Sequence, residues 1–321
     1  MKLLFVFTGG TIGCTVTGDT IAVDAKKPYR LLHAYADRHP IDFTYDTLEP
    51  FSELSENFSG EHISRLITTV KESISSEYDG IIVTHGTDTL SYSAAALAYA
   101  LGNDTVPVCL VSSNFPIEDE RSNGIDNLFA AVSLIRFGNV RGVFVLYRNG
   151  IGKRVGVHRA ARLSTSLSHT DEVFSAGNVL YGEIAPDGTL FRNPEYDEHS
   201  DALGAPPSLN LPERSTHILR VFPYPGMPYP AIPDDTTLIL LETYHSGTVD
   251  GISEGAHAFF KAAKEKGIPL FVTGSAKYES ARIFDEYGVT RLPIAPIAAY
   301  MKLWLYGNTK DLALSRGGDV F

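Results

Sequence analysis

The chain carries short, unbroken runs of apolar residues that end at turns rich in threonine and glycine. Residues 3–7 form one such run, which stops at Thr8, Gly9 and Gly10. A strand buried on both faces of a parallel sheet has this pattern, because neither face is left for polar side chains. The same pattern recurs at residues 80–83, 106–111 and 142–147. These runs predict the strands of one buried sheet.

Amphipathic segments alternate with the apolar runs. Apolar residues recur at helical spacing in residues 62–75 and 89–101,. Strands that alternate with helices form right-handed crossovers, so the pattern predicts an α/β fold with a doubly wound parallel sheet. We expect this larger N-terminal catalytic domain to cover residues 1–190.

The periodicity is lost between residues 186 and 212, where Pro, Asn, Asp and Gly cluster. Such clusters mark turns and loops, so we expect a linker at residues 191–212. Beyond it, strand patterns return at residues 217–222, 237–242 and 269–273, and helical patterns at residues 251–266 and 293–306,. They predict a smaller C-terminal α/β domain, residues 213–321.

Length and charge narrow the class of protein. A chain of 321 residues with 44% hydrophobic content is long enough for a sizeable core, and its length favours two domains,. The net charge of −11 disfavours binding to nucleic acid or to an anionic membrane surface,. No apolar run approaches the roughly 20 residues that span a bilayer. We therefore expect a cytoplasmic protein that acts on a small molecule, without nucleic-acid or membrane partners.

Residue spacing argues against a metal or a nucleotide cofactor. Cys14 and Cys109 lack the spacing of a metal or redox motif,. The first glycine-rich turn does not fit the G-x-G-x-x-G dinucleotide motif, because Thr11 stands where the second glycine is required,. A lone histidine in a turn, such as His85, is more often a structural hydrogen-bonding group than a base or ligand. We expect no metal and no other cofactor.

Two turns of threonine and glycine, residues 8–13 and 84–89, follow predicted parallel strands. Open α/β sheets bind their ligands at such strand ends. Glycine lets backbone N–H groups approach a ligand closely, so Gly10 and Gly86 suit an oxyanion hole beside a hydroxyl nucleophile. Thr87 and Asp88 add a second hydroxyl and a carboxylate, which suit proton transfer and the binding of an ammonium group. The alternative is that each turn only caps the following helix.

Taken together, the two turns resemble the signatures of bacterial-type L-asparaginases and their glutaminase-asparaginase and archaeal glutamyl-tRNA amidotransferase relatives. The matching segments are Thr-Gly-Gly-Thr-Ile-Gly at residues 8–13 and His-Gly-Thr-Asp-Thr at residues 85–89. The resemblance covers essentially the whole chain, with a larger N-terminal domain, a linker and a smaller C-terminal domain.

The resemblance implies roles for individual residues. Thr11 is the implied nucleophile and Thr87 the second catalytic hydroxyl, while Asp88 binds the α-ammonium of the substrate and joins the proton relay. Ser55 and Glu56 are implied to contact the α-carboxylate of the substrate. A homodimer or homotetramer is also implied, because in this family a neighbouring subunit completes the site. Residues 244–248 are a candidate for the completing loop, and an ordinary turn is the alternative.

The chain departs from the family pattern at two places. A family lysine that pairs with the Thr-Asp turn has Thr165 in its place when Arg162 and Phe174 are aligned. Arg162 supplies charge but cannot give up a proton near neutral pH, so it does not replace a lysine base. A tyrosine usual in the loop after the first turn is also absent, and Thr15, Thr20 and Tyr29 are alternative hydroxyls. Gly18 and Asp19 predict a lid hairpin in that loop.

The sequence therefore predicts an amidohydrolase that hydrolyses L-asparagine or L-glutamine through a threonine acyl-enzyme. The alternative is an amino-acid-binding or regulatory homologue that has lost the proton relay. A tRNA-dependent amidotransferase subunit is disfavoured, because the chain starts at the first sheet strand and is acidic,. One methylene changes discrimination by only ~1–3 kcal/mol, so the pattern does not rank asparagine against glutamine.

Overall fold

The structure is a computed structural model. It describes residues 1–9, 14–17, 20–23, 28–74, 77–103, 105–167, 169–197, 209, 211, 217–274 and 281–319. For residues 14–17, 20–23, 28, 29 and 281 it describes the backbone alone.

The first sheet has eight strands in the order β10-β9-β8-β7-β6-β5-β1-β4. Its parallel part contains β1 (Lys2–Phe7), β4 (Thr44–Leu48), β5 (Gly80–Thr84), β6 (Val108–Val111) and β7 (Val143–Tyr147). Its antiparallel part adds β8 (Val155–Arg159), β9 (Gly182–Ile184) and β10 (Leu190–Arg192). The α/β fold with a parallel-rich sheet is confirmed, and the sheet is mixed rather than wholly parallel.

Alternate residues of the central strands enter two different cores. Leu4 and Val6 of β1 face one core, and Leu3 and Phe5 face the other. Side chains of a strand point to opposite faces in turn, so both faces must be covered. α2 (Gly60–Ser73) and α3 (Leu90–Leu101) cover the first face, and α1 (Pro28–Ala36) and α4 (Gly124–Phe137) cover the second.

A short hairpin follows the first turn. It pairs β2 (Cys14–Thr17) with β3 (Thr20–Val23) in antiparallel register. The hairpin predicted from Gly18 and Asp19 is thus present in the backbone, while those two residues lie outside the described part of the chain.

The second sheet is parallel throughout its described strands. Its order is β11 (Ile218–Val221), β12 (Leu238–Glu242), β13 (Leu270–Thr273) and β14 (Thr290–Leu292). α5 (Glu254–Glu265) and α6 (Ala281–Tyr287) pack on one face, and α7 (Pro296–Tyr306) lies on the other. The second α/β unit predicted from the strand patterns is confirmed.

Two helices join the sheets through one hydrophobic core. α3 packs directly against α7, and the same core includes Leu240 and Phe271 of the second sheet. The chain end is fixed to this junction by a buried ion pair between Lys302 and Asp319, whose Nζ and Oδ2 atoms are 2.7 Å apart. Tyr99 of α3 donates a hydrogen bond to the same carboxylate. The region that carries α3 is therefore rigidly supported.

Candidate active site

The two turns predicted from the sequence follow neighbouring strands. β1 and β5 are parallel and adjacent, with Phe7 paired to Thr84, so both strands end at the same edge of the sheet. The Thr8 hydroxyl donates to the Thr84 carbonyl at 2.7 Å and ties the two ends together. This edge is the ligand-binding position of an open α/β sheet.

Gly9 is required where the first turn begins. It has a φ of +99° and pairs with Glu53, and a Cβ there would lie 2.3 Å from the Glu53 carbonyl oxygen. Only glycine fits this combination of left-handed backbone and close approach. The next two predicted site residues, Gly10 and Thr11, lie outside the described residues.

The second turn presents its side chains at the start of α3. Gly86 is buried, Thr87 is partly buried and Asp88 is exposed. Asp88 lies two residues before α3 begins at Leu90, close to the positive end of the helix dipole, which favours a negative charge,.

Ser55 meets Asp88 at this edge. The Ser55 hydroxyl donates to Asp88 Oδ2 at 3.0 Å, although 33 residues separate the two. Ser55 is buried and begins a 3-10 turn, Ser55–Asn57, in which Glu56 is exposed. The structure therefore brings Ser55, Glu56, Thr87 and Asp88 to one edge of the sheet.

A second hydrogen bond fixes the same turn. Thr89 Oγ1 donates to the Ser55 carbonyl at 3.1 Å, and Thr89 makes no side-chain cap bond with its own helix. The alternative that the second turn only caps the following helix therefore does not hold for the Thr89 side chain. No sequence pattern reveals the link, because it joins residues far apart in the chain.

Glu53 stabilises the approach to the 3-10 turn. Its Oε1 atom accepts from the Leu54 N–H at 2.9 Å and from the Asn57 side-chain amide at 3.1 Å. The hydrogen bond from Asn57, followed by that from Leu54, holds the pKa of the Glu53 carboxyl below its usual value. Glu53 thus remains ionised while it orders the segment that carries Ser55.

His85 is a buried structural group. Its Nδ1 lies 2.8 Å from the Gly86 carbonyl oxygen and its Nε2 lies 2.8 Å from Ser93 Oγ. Burial lowers the pKa of His85 to about 4, so the ring is neutral near pH 7. These contacts support the structural role expected for it.

The residues near the missing lysine do not provide an ion pair for Asp88. Arg162 is buried, its Nε donates to the Gly318 carbonyl, and its guanidinium lies 4.9 Å from the centre of the Tyr196 ring. Thr165 is exposed, just beyond a bridge between Leu163 and Ser175. Within the described ranges, no basic side chain lies within 4.0 Å of the Asp88 carboxylate. Arg162, which the sequence offered as a source of charge near the second turn, therefore forms no ion pair with Asp88.

The candidate loop of the second unit is a well-formed turn. The Tyr244 N–H donates to the Thr248 carbonyl at 2.9 Å, and Gly247, with a φ of +81°, donates to the Tyr244 carbonyl at 2.7 Å. Such geometry suits either an ordinary turn or a contact with a neighbouring subunit, so its role in completing a site stays a prediction.

Comparison with known proteins decides the family. The model of the asparaginase N-terminal domain matches residues 2–193. The chain belongs to the asparaginase family. The matched range holds the whole first sheet and every residue of the two turns.

Asparaginase-family relatives of similar sequence fall into two groups. An L-asparaginase of Thermococcus kodakarensis is 29% identical over 334 residues, covering 97% of this chain and 94% of the relative. One subunit of the glutamyl-tRNA(Gln) amidotransferase of Metallosphaera sedula is 28% identical over 338 residues, covering 97% of this chain and 73% of the relative.

Solved structures of L-asparaginases share the fold. The thermostable enzyme from Thermococcus kodakarensis aligns with a TM-score of 0.78 and 24% identity, over 100% of this chain and 99% of the other. L-asparaginase I from Vibrio cholerae aligns with a TM-score of 0.79 and 19% identity, over the same shares. At these identities the likeness establishes the fold alone.

Two features are absent from the described part of the chain. None of its helices has the length and apolar character needed to cross a membrane. Among the same residues, no group of three or more His, Cys, Asp or Glu side chains is arranged to hold a metal ion.

Proposed function

We propose that this asparaginase-family protein hydrolyses the side-chain amide of L-asparagine, or of L-glutamine, to the acid and ammonia. The hydrogen bond between Ser55 and Asp88 is the observation that carries the proposal. It joins a hydroxyl and a carboxylate at the strand-end edge where the two threonine turns meet. A carboxylate and a hydroxyl in contact suit the charged α-groups of an amino acid.

In the proposed reaction the hydroxyl oxygen of Thr11 attacks the amide carbon of the substrate. The C–N bond breaks, ammonia leaves with the threonine proton, and an acyl ester forms on Thr11. Water then attacks the ester carbonyl, which releases the free acid and restores the hydroxyl. Backbone N–H groups of the glycine turns, at Gly10 and Gly86, are assigned to the developing oxyanion.

Thr87 and Asp88 are assigned to proton transfer and substrate binding. Thr87 is partly buried beside Asp88, which suits a hydroxyl that activates the attacking group,. Asp88 would hold the α-ammonium of the substrate, while Ser55 and Glu56 face its α-carboxyl end. With its α-groups bound by these residues, the substrate would place its side-chain amide next to Thr11.

A second candidate is an amino-acid-binding or regulatory homologue. The exposed Thr165 at the family lysine position and the absence of an ion pair to Asp88 within the described ranges favour it. A relay without a nearby cation transfers a proton less readily, because an opposite charge keeps a carboxyl ionised. Such a protein would bind asparagine without turning it over.

We also propose a cytoplasmic homodimer or homotetramer, in which residues 244–248 of a neighbouring subunit approach the site. The ordered turn at Gly247 and the half-exposed Tyr244, with 37% of its surface accessible, support a contact there. Light scattering tests the assembly, and a fully active monomer would contradict it.

Purified protein with L-asparagine separates the two candidates. The enzyme account predicts equimolar ammonia and L-aspartate, measured by a coupled assay and by chromatography. The binding account predicts heat of binding in calorimetry without ammonia. A parallel assay with L-glutamine shows which of the two amides is hydrolysed with the higher kcat/KM.

A further inference from the structure

A cavity of about 390 Å³ lies where the two sheet units meet, beside the start of α3. Residues at the beginning of α2 and α3 line it from the first unit, and residues of β11 and α7 line it from the second. Its volume falls within the range of ~300–1,000 Å³ that is usual for small-molecule sites. Thr89, which donates to the Ser55 carbonyl, is part of its wall, so the cavity borders the candidate active site.

The wall of the cavity is mainly apolar and aromatic. It includes the buried side chains of Ile63, Met301 and Trp304. The rings of Tyr92 and Tyr300, which also line it, meet edge to face with their centroids 5.9 Å apart. Aromatic rings pack well against another flat ring in edge-to-face or offset-stacked arrangements. The wall therefore suits a flat, apolar group.

Arg220 places a positive charge at this wall. Among the described residues that line the cavity, it alone carries a charge. Its guanidinium lies 5.1 Å from the centre of the Tyr300 ring and 5.9 Å from that of Tyr92, so two rings of the cavity hold it. Ring faces attract a cation at such distances. Only 18% of the Arg220 side chain is accessible, so the charge is largely removed from water.

The guanidinium of Arg220 keeps hydrogen-bonding capacity. Its Nη1 donates to the Tyr92 hydroxyl at 2.8 Å, and its Nη2 donates to Glu242 Oε1 at 2.6 Å. A guanidinium has more N–H groups than these two acceptors take up. The Nε–H is buried and has no acceptor in the described part of the chain. A buried donor without an acceptor costs free energy, so a further oxygen atom at this guanidinium is favourable.

We infer that the cavity binds a small monocarboxylic acid whose body is flat and apolar, such as an arylacetic acid. The ring lies against Tyr92, Tyr300 and Trp304, and the carboxylate accepts hydrogen bonds from Arg220. The two oxygen atoms of a carboxylate match the fork of N–H groups of a guanidinium. Glu242 competes for the same cation, so the affinity depends on both members of the ion pair.

Trp304 provides a direct readout, because it is the only tryptophan of the chain and lines the cavity. Titration with phenylacetate should give a saturable change in its fluorescence. We expect phenylacetate to bind at least ~10-fold more tightly than 2-phenylethanol, which has the ring without the charge, because hydrogen bonds to a charged group are strong. Acetate, which has the charge without the ring, should also bind at least ~10-fold more weakly, since it buries little apolar surface.

Two variants test the role of the ion pair. Glu242→Gln removes the competing charge, and it should tighten phenylacetate binding by about fivefold, the effect of one like charge about 4 Å away in water. The affinity for 2-phenylethanol should change by less than about twofold, because this compound has no charge. Arg220→Met combined with Glu242→Gln leaves no unpaired buried charge, which favours a folded protein. In this double variant, phenylacetate should bind no more tightly than 2-phenylethanol.

Arg154→Met is the matched control. Arg154 also lies over a ring, 4.0 Å from the centre of Phe191, and it pairs with Glu183 at 3.6 Å, but it does not line the cavity. Its replacement should leave both affinities unchanged. Circular dichroism checks the fold of each variant, and calorimetry measures binding independently of fluorescence.

Three results would overturn the inference. One is phenylacetate that gives neither a fluorescence change nor heat of binding. The second is equal affinity of the wild type for phenylacetate and 2-phenylethanol. The third is a preference for phenylacetate that is unchanged in Glu242→Gln and persists in the folded double variant. Binding at this cavity requires no turnover, so each of these results leaves the amidohydrolase proposal standing.

Discussion

Thr89 Oγ1 donates a hydrogen bond to the carbonyl oxygen of Ser55, at a distance of 3.1 Å. The Ser55 hydroxyl in turn donates to Asp88, the residue before Thr89, at 3.0 Å. Two hydrogen bonds therefore link the 3-10 turn to the start of α3. Thr89 thus helps to hold Ser55 beside Asp88 through the backbone carbonyl of Ser55.

We predict that Thr89→Val raises KM for the amide substrate by about 5- to 10-fold. A lost hydrogen bond of about 1 kcal/mol lets the turn move away from Asp88, and valine preserves the shape of the side chain. The value of kcat should change less, because the proposed reacting groups are elsewhere. Thr89→Ser keeps the hydroxyl and should behave like wild type. Equal loss in both variants would show that the hydroxyl is not what matters.

Thr87 and Asp88 are predicted to act as one unit. Thr87→Val and Asp88→Asn should each lower kcat/KM by at least ~100-fold, as expected for a general acid–base group. The double variant should be scarcely worse than either single one, because a relay fails when one member is lost. Steady-state ammonia release measures all three, and additive losses would argue for independent roles.

Gly9→Ala is predicted to destabilise the protein by about 2–3 kcal/mol, the cost of a strained left-handed backbone together with overpacking. The cause is its φ of +99° and the Glu53 carbonyl oxygen 2.3 Å from the new Cβ. Gly255→Ala is the control, since the nearest atom to a Cβ there is 3.8 Å away. Urea unfolding should show no loss for Gly255→Ala. Equal stability of the two variants would contradict the described turn.

Stability is predicted to fall as the pH drops from 6.5 towards 4. Burial lowers the pKa of His85 and of His158 from 6.5 to about 4. As the pH falls, the unfolded chain therefore binds these protons before the folded chain does. The contribution of the two histidines to the free energy of unfolding is fully present only above pH 6.5. Between about pH 7.5 and pH 5, linkage gives a loss of about 2 kcal/mol per histidine.

Urea unfolding at the two pH values measures this loss. His85→Gln removes one of the two titrating rings and should show a smaller loss than the wild type, even though its stability near neutral pH is lower. An equal pH dependence in both proteins would show that His85 does not contribute.

The central strands could be predicted because their composition follows from their position. Strands buried on both faces need apolar residues throughout, and residues 3–7 and 80–83 meet that need. β8 could not be recognised in this way, because it contains His158 and Arg159. Both are buried, and Arg159 is accommodated by a hydrogen bond of 2.6 Å to Asn103. A buried polar residue with a distant partner looks like a surface residue in the sequence.

The site was predictable residue by residue but not as a network. The glycine and threonine residues that follow two predicted strands indicated where the site lies, because adjacent parallel strands end at the same edge of a sheet. The links from Ser55 to Asp88 and Thr89 span 33 and 34 residues, and no local pattern reports them. β10 was not predicted, and it lies where the sequence indicated a loop. Its three residues at the sheet edge are too few to show the alternating pattern of a strand.

Thr11 gives the most direct test of the central claim. The measurement is ammonia release from L-asparagine and from L-glutamine by the wild type and by Thr11→Val, with circular dichroism and thermal unfolding as checks on the fold. The account predicts turnover by the wild type and a loss of at least ~1,000-fold in the folded variant, as when a nucleophile is removed. Undiminished ammonia release by folded Thr11→Val would contradict it.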